Sequence, residues 1–168
     1  MTKSDARQIP EEPLSSPVLE YASRDGVKRS TEEAAQFLLN AAGQGDAEAQ
    51  YRLGWMLQMG RETLQSLGFA TLIEIPLPEE WEKAQQSLYR EALEWFTKAA
   101  TQGHSHAQKN IALIHSGGLG VPQDSSAGLR WLRKAVEADS TNSDAQFFMG
   151  QAYLKGWGVE SNAVEAAR

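Results

Sequence analysis

The 168-residue chain has no cysteine, which excludes disulfide frameworks and thiolate metal sites and suits a reducing compartment. The opening stretch, MTKSDARQIPEEP, lacks the apolar run of a signal peptide. Nowhere do apolar residues continue long enough to cross a bilayer, so the expectation is a cytoplasmic chain without a membrane span. Basic residues are also short: 16 Lys and Arg face 22 Asp and Glu, for a net charge of -6. Proteins that hold phosphate backbones cluster cations, so nucleic acid is not an expected partner, whereas a protein, peptide or small molecule is. At 41% hydrophobic content, slightly under the globular norm, one extended or modest-core domain is expected.

What the chain does have is self-similarity, which is sought before any motif because it dictates the fold. The dipeptide Ala-Gln occurs at Ala49-Gln50, Ala107-Gln108 and Ala145-Gln146, each time shortly after a small pair, Ala41-Ala42, Ala99-Ala100 and Ala135-Val136. The second and third pairs lie 36 residues apart (135 minus 99) and the first and second 58 (99 minus 41), so about 22 extra residues sit between Gly60 and Gln86. With these offsets Ala34, Ala92 and Gly128 align, followed by Phe37, Trp95 and Trp131, then Leu38, Phe96 and Leu132. Spacings of i, i+3, i+4 and i+7 give the first helix of each unit one apolar face. In the second helix, Leu53, Ile111 and Met149 precede Gly54, Ala112 and Gly150, followed by Leu57, His115 and Tyr153. A mid-helix glycine costs up to about 1 kcal/mol relative to alanine. Its recurrence in one column predicts that another backbone packs closely there.

The turns repeat as well. Gly45 and Gly103 follow the first helix, where a left-handed residue commonly ends one, and Asp46 is placed to cap the next. The third turn, ADSTNSD, is two residues longer and has no glycine; Asn142 is expected to substitute for it and Asp144 to cap. After the second helix come Gly118-Leu119-Gly120-Val121 and Gly156-Trp157-Gly158-Val159, tight reversals into the next unit.

The run EALEWFTKAATQGHSHAQKNIALIHSGGLGVPQD resembles the Sel-one-like repeat (SLR) proteins, relatives of tetratricopeptide repeats. It matches the family's alanine-tryptophan, lysine-alanine-alanine, glutamine-glycine, alanine-glutamine and glycine-valine positions in order. The resemblance covers roughly Ser30 to Arg168, with two departures: repeat one lacks the Gly-x-Gly-Val turn and repeat three the Gln-Gly turn. It implies an all-α, right-handed α-α superhelix (solenoid) of about three SLR helix pairs. The expected layout is an extended N-terminal arm at 1–29, carrying Pro10, Pro13 and Pro17, then repeat 1 at 30–60, an insertion at 61–86, repeat 2 at 87–124, repeat 3 at 125–162 and the start of a fourth helix pair at 163–168. The arm is open to packing along the first repeat through Val18, Leu19 and Tyr21. Because a stack needs a polar cap on its last apolar face, a chain stopping inside a fourth helix implies either a piece of something longer or a partner over that face.

Catalytic chemistry finds little support. The three histidines, His104, His106 and His115, fall at repeat positions, the first two aligned with Asp46 and Glu48, and a zinc site needs three or four convergent ligands with a second shell. Gly117-Gly118-Leu119-Gly120 follows a helix, not a strand, and lacks the Lys-Ser/Thr pair of a phosphate loop. No serine sits in a nucleophile-elbow pattern. Acidic pairs such as Glu32-Glu33 read as helix starts. No catalytic residue, metal site or cofactor is expected. Trp95 and Trp131 share one column and read as packing between units.

Two features exceed what a repeat requires. The insertion carries Phe69, Leu72, Ile73 and Trp81 and is too apolar for a free loop; either it fills a gap between repeats or it forms an apolar binding ridge. The non-core columns of the first helices are Gln36, Glu94 and Arg130, and Asn40, Lys98 and Lys134. In related solenoids the first helices line the concave groove, so these residues either contact a partner or form an ordinary solvated face. The resemblance implies a non-catalytic adaptor or scaffold that binds a protein or peptide, such as a bacterial signalling or secretion component. The alternative is an immunity protein that stoichiometrically inhibits a cognate secreted toxin, and more distantly a metal-dependent enzyme using the histidines.

Overall fold

The structure, a computed structural model, describes residues 22–26, 30–59 and 81–166. Its described residues form helices and connecting turns with no strand, in the order α1 (Thr31–Gly43), α2 (Ala47–Met59), α3 (Trp81–Ala100), α4 (Ser105–Gly117), α5 (Ser125–Ala138), α6 (Ser143–Lys155) and α7 (Ala163–Ala166). The architecture is an all-α helical repeat solenoid, and α1/α2, α3/α4 and α5/α6 are its helix pairs.

The helices α1, α2, α4, α5 and α6 start where a side chain supplies an acceptor for the orphan N–H groups of the first turn. Ser30 and Glu33 form a reciprocal capping box on α1. Asp46, Asp124 and Asn142 accept from the backbone N–H of Ala49, Ala127 and Ala145 at 2.8, 2.8 and 3.0 Å. Gly45 and Gly103 hold φ of +98° and +85°, the left-handed stops expected after α1 and α3. The third turn departs from expectation. Asn142 has φ -69°, and instead of ending α5 it caps α6; Asp144 lies inside the first turn. The physical reason is the longer turn: α5 runs out into extended backbone at Asp139, whose carboxylate accepts from Thr141 N–H at 2.9 Å. That frees Asn142, only 4% exposed, to serve both α6 and the buried Ser105 hydroxyl at 2.7 Å.

The recurring Ala-Gln dipeptide has a structural role in both halves. Ala49, Ala107 and Ala145 are fully buried. The amides of Gln50 and Gln108 reach back to donate to the carbonyls of Ala42 and Ala100 at 3.1 and 3.2 Å, stitching the second helix of a pair to the end of the first.

Units join through α2 against α3 and α4 against α5, which pack more extensively than the helices within a pair. The small column sits in these seams. A Cβ on Gly54 would lie 3.1 Å from the Ala92 carbonyl, one on Gly128 2.9 Å from that of Ala112, and one on Gly150 3.1 Å from that of Ala166. Each seam thus pairs one glycine with one alanine, and α7 meets α6 as α3 meets α2. The main core runs from Ala22 through Leu38, Leu53, Met56 and Phe96 to Ile114, with a smaller cluster of Ala112, Leu129, Leu132 and Ala152 beyond it. Within the expected arm, residues 22–26 form a helical end and turn rather than extended chain. Ala22 is fully buried there, and Arg24 pairs with Asp46 at 2.9 Å.

Candidate functional site

The first helices present one repeated chemical device outward. Lys98 Nζ lies 3.8 Å from the centroid of the Trp95 ring, and Lys134 Nζ lies 4.5 Å from that of Trp131. The i, i+3 spacing on one helix face brings each pair together. In the first unit, where Asn40 replaces the lysine, Arg24 from the preceding turn lies over Phe37 at 5.9 Å. Both indoles are half-buried and pack against the core, so each lysine is laid over a fixed ring. Such contacts contribute about 0.5–1 kcal/mol at exposed sites.

All six residues of the two non-core columns expected at the surface are exposed: Gln36 and Asn40 on α1, Glu94 and Lys98 on α3, Arg130 and Lys134 on α5. Gln36 donates to Asn40 at 3.1 Å. On α3 an open depression of about 560 Å³ is lined by Arg90, Leu93, Glu94, Thr97 and Lys98. Of the insertion residues, Phe69, Leu72 and Ile73 lie outside the described residues. Trp81 opens α3, with its side chain likewise outside the description. The apolar ridge and the inhibitor reading built on it rest on that undescribed stretch.

A second cluster, on the second helices, was missed by sequence reasoning. Glu48 forms an ion pair with Arg52, its carboxylate 2.6 Å from Nε, and pairs with His104 Nε2 at 2.8 Å across the unit boundary. His104 also caps α4, its Nδ1 accepting from Ala107 N–H at 3.2 Å, so the capping ring carries its proton on Nε2 and donates it to Glu48. Tyr51 stacks on His104 at 4.5 Å and approaches His106 at 5.8 Å. Glu48, Tyr51, Arg52, Trp55 and His106 line a depression of about 320 Å³. The only sequence signal was the alignment of His104 with the cap Asp46; nothing in the spacing placed Glu48 opposite it. With both ring nitrogens of His104 engaged, it has no lone pair turned outward for a metal. Among the described residues no group of three His, Cys, Asp or Glu side chains converges. Nor is any described helix long and apolar enough to cross a membrane.

The hydrogen bond from His104, aided by the Arg52 charge and opposed by partial burial, holds the Glu48 carboxyl below its ordinary value. A carboxylate depressed in the folded state adds stability above its unfolded pKa, near 4.3, and that contribution is lost as pH falls through the lower folded value. Glu48→Gln is therefore expected to cost roughly 1 kcal/mol or less at pH 7, since the carboxylate is partly exposed and screened. The two stability curves should converge below about pH 4. Urea titrations from pH 3 to 7 check this; curves that stay parallel would remove the cross-unit pair from the account.

The comparisons with known proteins agree with the fold. A Sel1 repeat family model matches residues 19–46, 47–69, 85–104, 105–140 and 143–168. One matched stretch, 105–140, spans α4 and α5, the helices that meet across a seam. A crystal structure of a Sel1 repeat protein from Oxalobacter formigenes is similar, with 23% identity, TM-score 0.59 and coverage of 79% of this chain and 82% of that one. A protective antigen with an SLR fold, present in uropathogenic Escherichia coli strains, matches at 27% identity and TM-score 0.48, covering 88% of this chain and 34% of that one.

Proposed function

The chain belongs to the Sel1 repeat family, and from that premise we propose that it is a non-catalytic interaction module, an adaptor that holds a protein or peptide partner on the outward face of its first helices. Sel1 repeats generally mediate protein–protein contacts. The observation that carries the reading is the repeated pair Trp95–Lys98 and Trp131–Lys134, which lays an exposed cation over a fixed indole at equivalent places in successive units. Core packing alone would leave the lysines free to vary. Because the seams fix α1, α3 and α5 relative to one another, a partner meets side chains that are already ordered and binding loses little scaffold entropy.

A photo-crosslinking side chain placed at Arg130, on this face, and in a separate protein at Gln151, on a second helix, tests it in extracts of the producing organism. A discrete crosslinked polypeptide from position 130 and none from 151 is the expected outcome. Equal capture from both positions, or none from 130, would sink the reading.

A further inference from the structure

Resting on the reading of the first-helix face as the docking surface, we propose that the partner segment is acidic and lies with its acidic residues over α5. Charge on this face is graded along the stack. On α1 it is acidic to neutral: Glu32 and Glu33 stand where α3 has Arg90 and Glu91, and Gln36 and Asn40 are hydrogen-bonded to each other. On α3, Arg90 and Lys98 are offset by Glu91 and Glu94. On α5, Arg130, Arg133 and Lys134 face only Glu137. This cationic strip stands on a chain of net charge -6, so most of the remaining surface repels an acidic segment and the strip is where it can settle.

The cations are also available. Among the described residues, Lys98, Arg130 and Lys134 form no ion pair with an acidic side chain, whereas Arg24, Arg52 and Lys109 each do. Lys98 and Lys134 are held over their indoles with ammonium groups exposed, so a carboxylate can be met without first ordering a long side chain. The depression on α3 gives the same segment a seat with an apolar contribution from Leu93, beside Thr97 and Lys98. An acidic segment with an apolar side chain toward α3 therefore matches the face in charge and in shape. A basic segment would meet Arg130 and Lys134 without compensation.

The test uses short random peptides displayed on phage and selected on the intact chain. Enriched sequences are then measured as fluorescein-labelled synthetic peptides by anisotropy. An acidic enriched set is expected, bound about tenfold more weakly by Arg130→Glu/Lys134→Glu and losing affinity as salt is raised. Circular dichroism melting checks that the variant is folded; if it is not, the neutralising pair Arg130→Gln/Lys134→Gln takes its place with a smaller loss. An enriched set without acidic bias, or an acidic set that binds these variants as well as the parent, overturns the inference. If that set is still displaced by Thr97→Arg, the face remains the docking surface. No enriched set, or one that neither the charge variants nor Thr97→Arg displace, overturns both.

Discussion

Replacing Phe96, the largest fully buried side chain among the described residues, by alanine is expected to cost about 3–5 kcal/mol. Phe96 is fully buried, and its ring sits in the seam between α2 and α3. It reaches Tyr51 with centroids 6.1 Å apart and passes over Gly54, where a Cβ would lie 2.8 Å from its Cδ1. Removing the ring opens a cavity between two rigid helices that cannot collapse without moving a whole unit, so the cavity contribution adds to the lost transfer free energy. For a chain of this size the midpoint should fall by roughly 10 °C. Phe147, 60% exposed on α6, supplies the contrast: its alanine variant should stay within about 0.5 kcal/mol of the parent. A Phe96→Ala protein losing less than about 1 kcal/mol would mean that the seam is not filled as described. The pairing with Gly54 has its own signature. Gly54→Ala, which crowds the ring, should cost less in the Phe96→Ala background than alone, a coupling that a double-mutant cycle measures.

The second large effect belongs to the Gly118–Val121 turn. Gly120 has φ +70°, and a Cβ there would lie 2.7 Å from the Gln86 carbonyl, 2.9 Å from Tyr89 Cβ and 3.1 Å from the Arg90 nitrogen. Gly120→Ala therefore combines left-handed strain of about 1–2 kcal/mol with crowding of about 1–3 kcal/mol against backbone that cannot yield. Gly103→Ala separates the two. It has φ +85° but nothing within 4 Å of its would-be Cβ, so it should show the strain alone. Chemical denaturation of both variants decides the point. Equal losses would show that the turn does not lie against the start of α3. The aligned Gly158 meets the Ser125 backbone in the same way, so its alanine variant should follow Gly120 rather than Gly103.

The helices, their order and their seams were legible in the sequence. Apolar spacing fixes which face of each helix is buried, and the column Gly54, Ala112, Gly150 announces close backbone approach, because both are local consequences of side-chain size at a helical period. The caps were legible where the turn length is standard, as at Asp46, and misjudged at Asn142, where two extra residues changed which group the turn leaves free. The exposed columns of the candidate face were also readable, since they are what remains once the apolar stripe is assigned.

What only the tertiary structure decided lies across unit boundaries. The Glu48–His104 pair joins residues 56 apart, and Gln102 reaches back 57 residues to the Gly45 carbonyl and 52 to Gln50. Their meeting depends on the rise and rotation from one unit to the next, which is set by how closely the glycine–alanine seams let whole helices approach. A residue's period reports which way it points on its own helix; the distance to a partner on another unit is a property of the packed stack, and no local spacing encodes it. The same holds for the docking face proposed on the first helices: each cation was visible singly, but its place relative to those of the next unit depends on how α1, α3 and α5 are set by the seams.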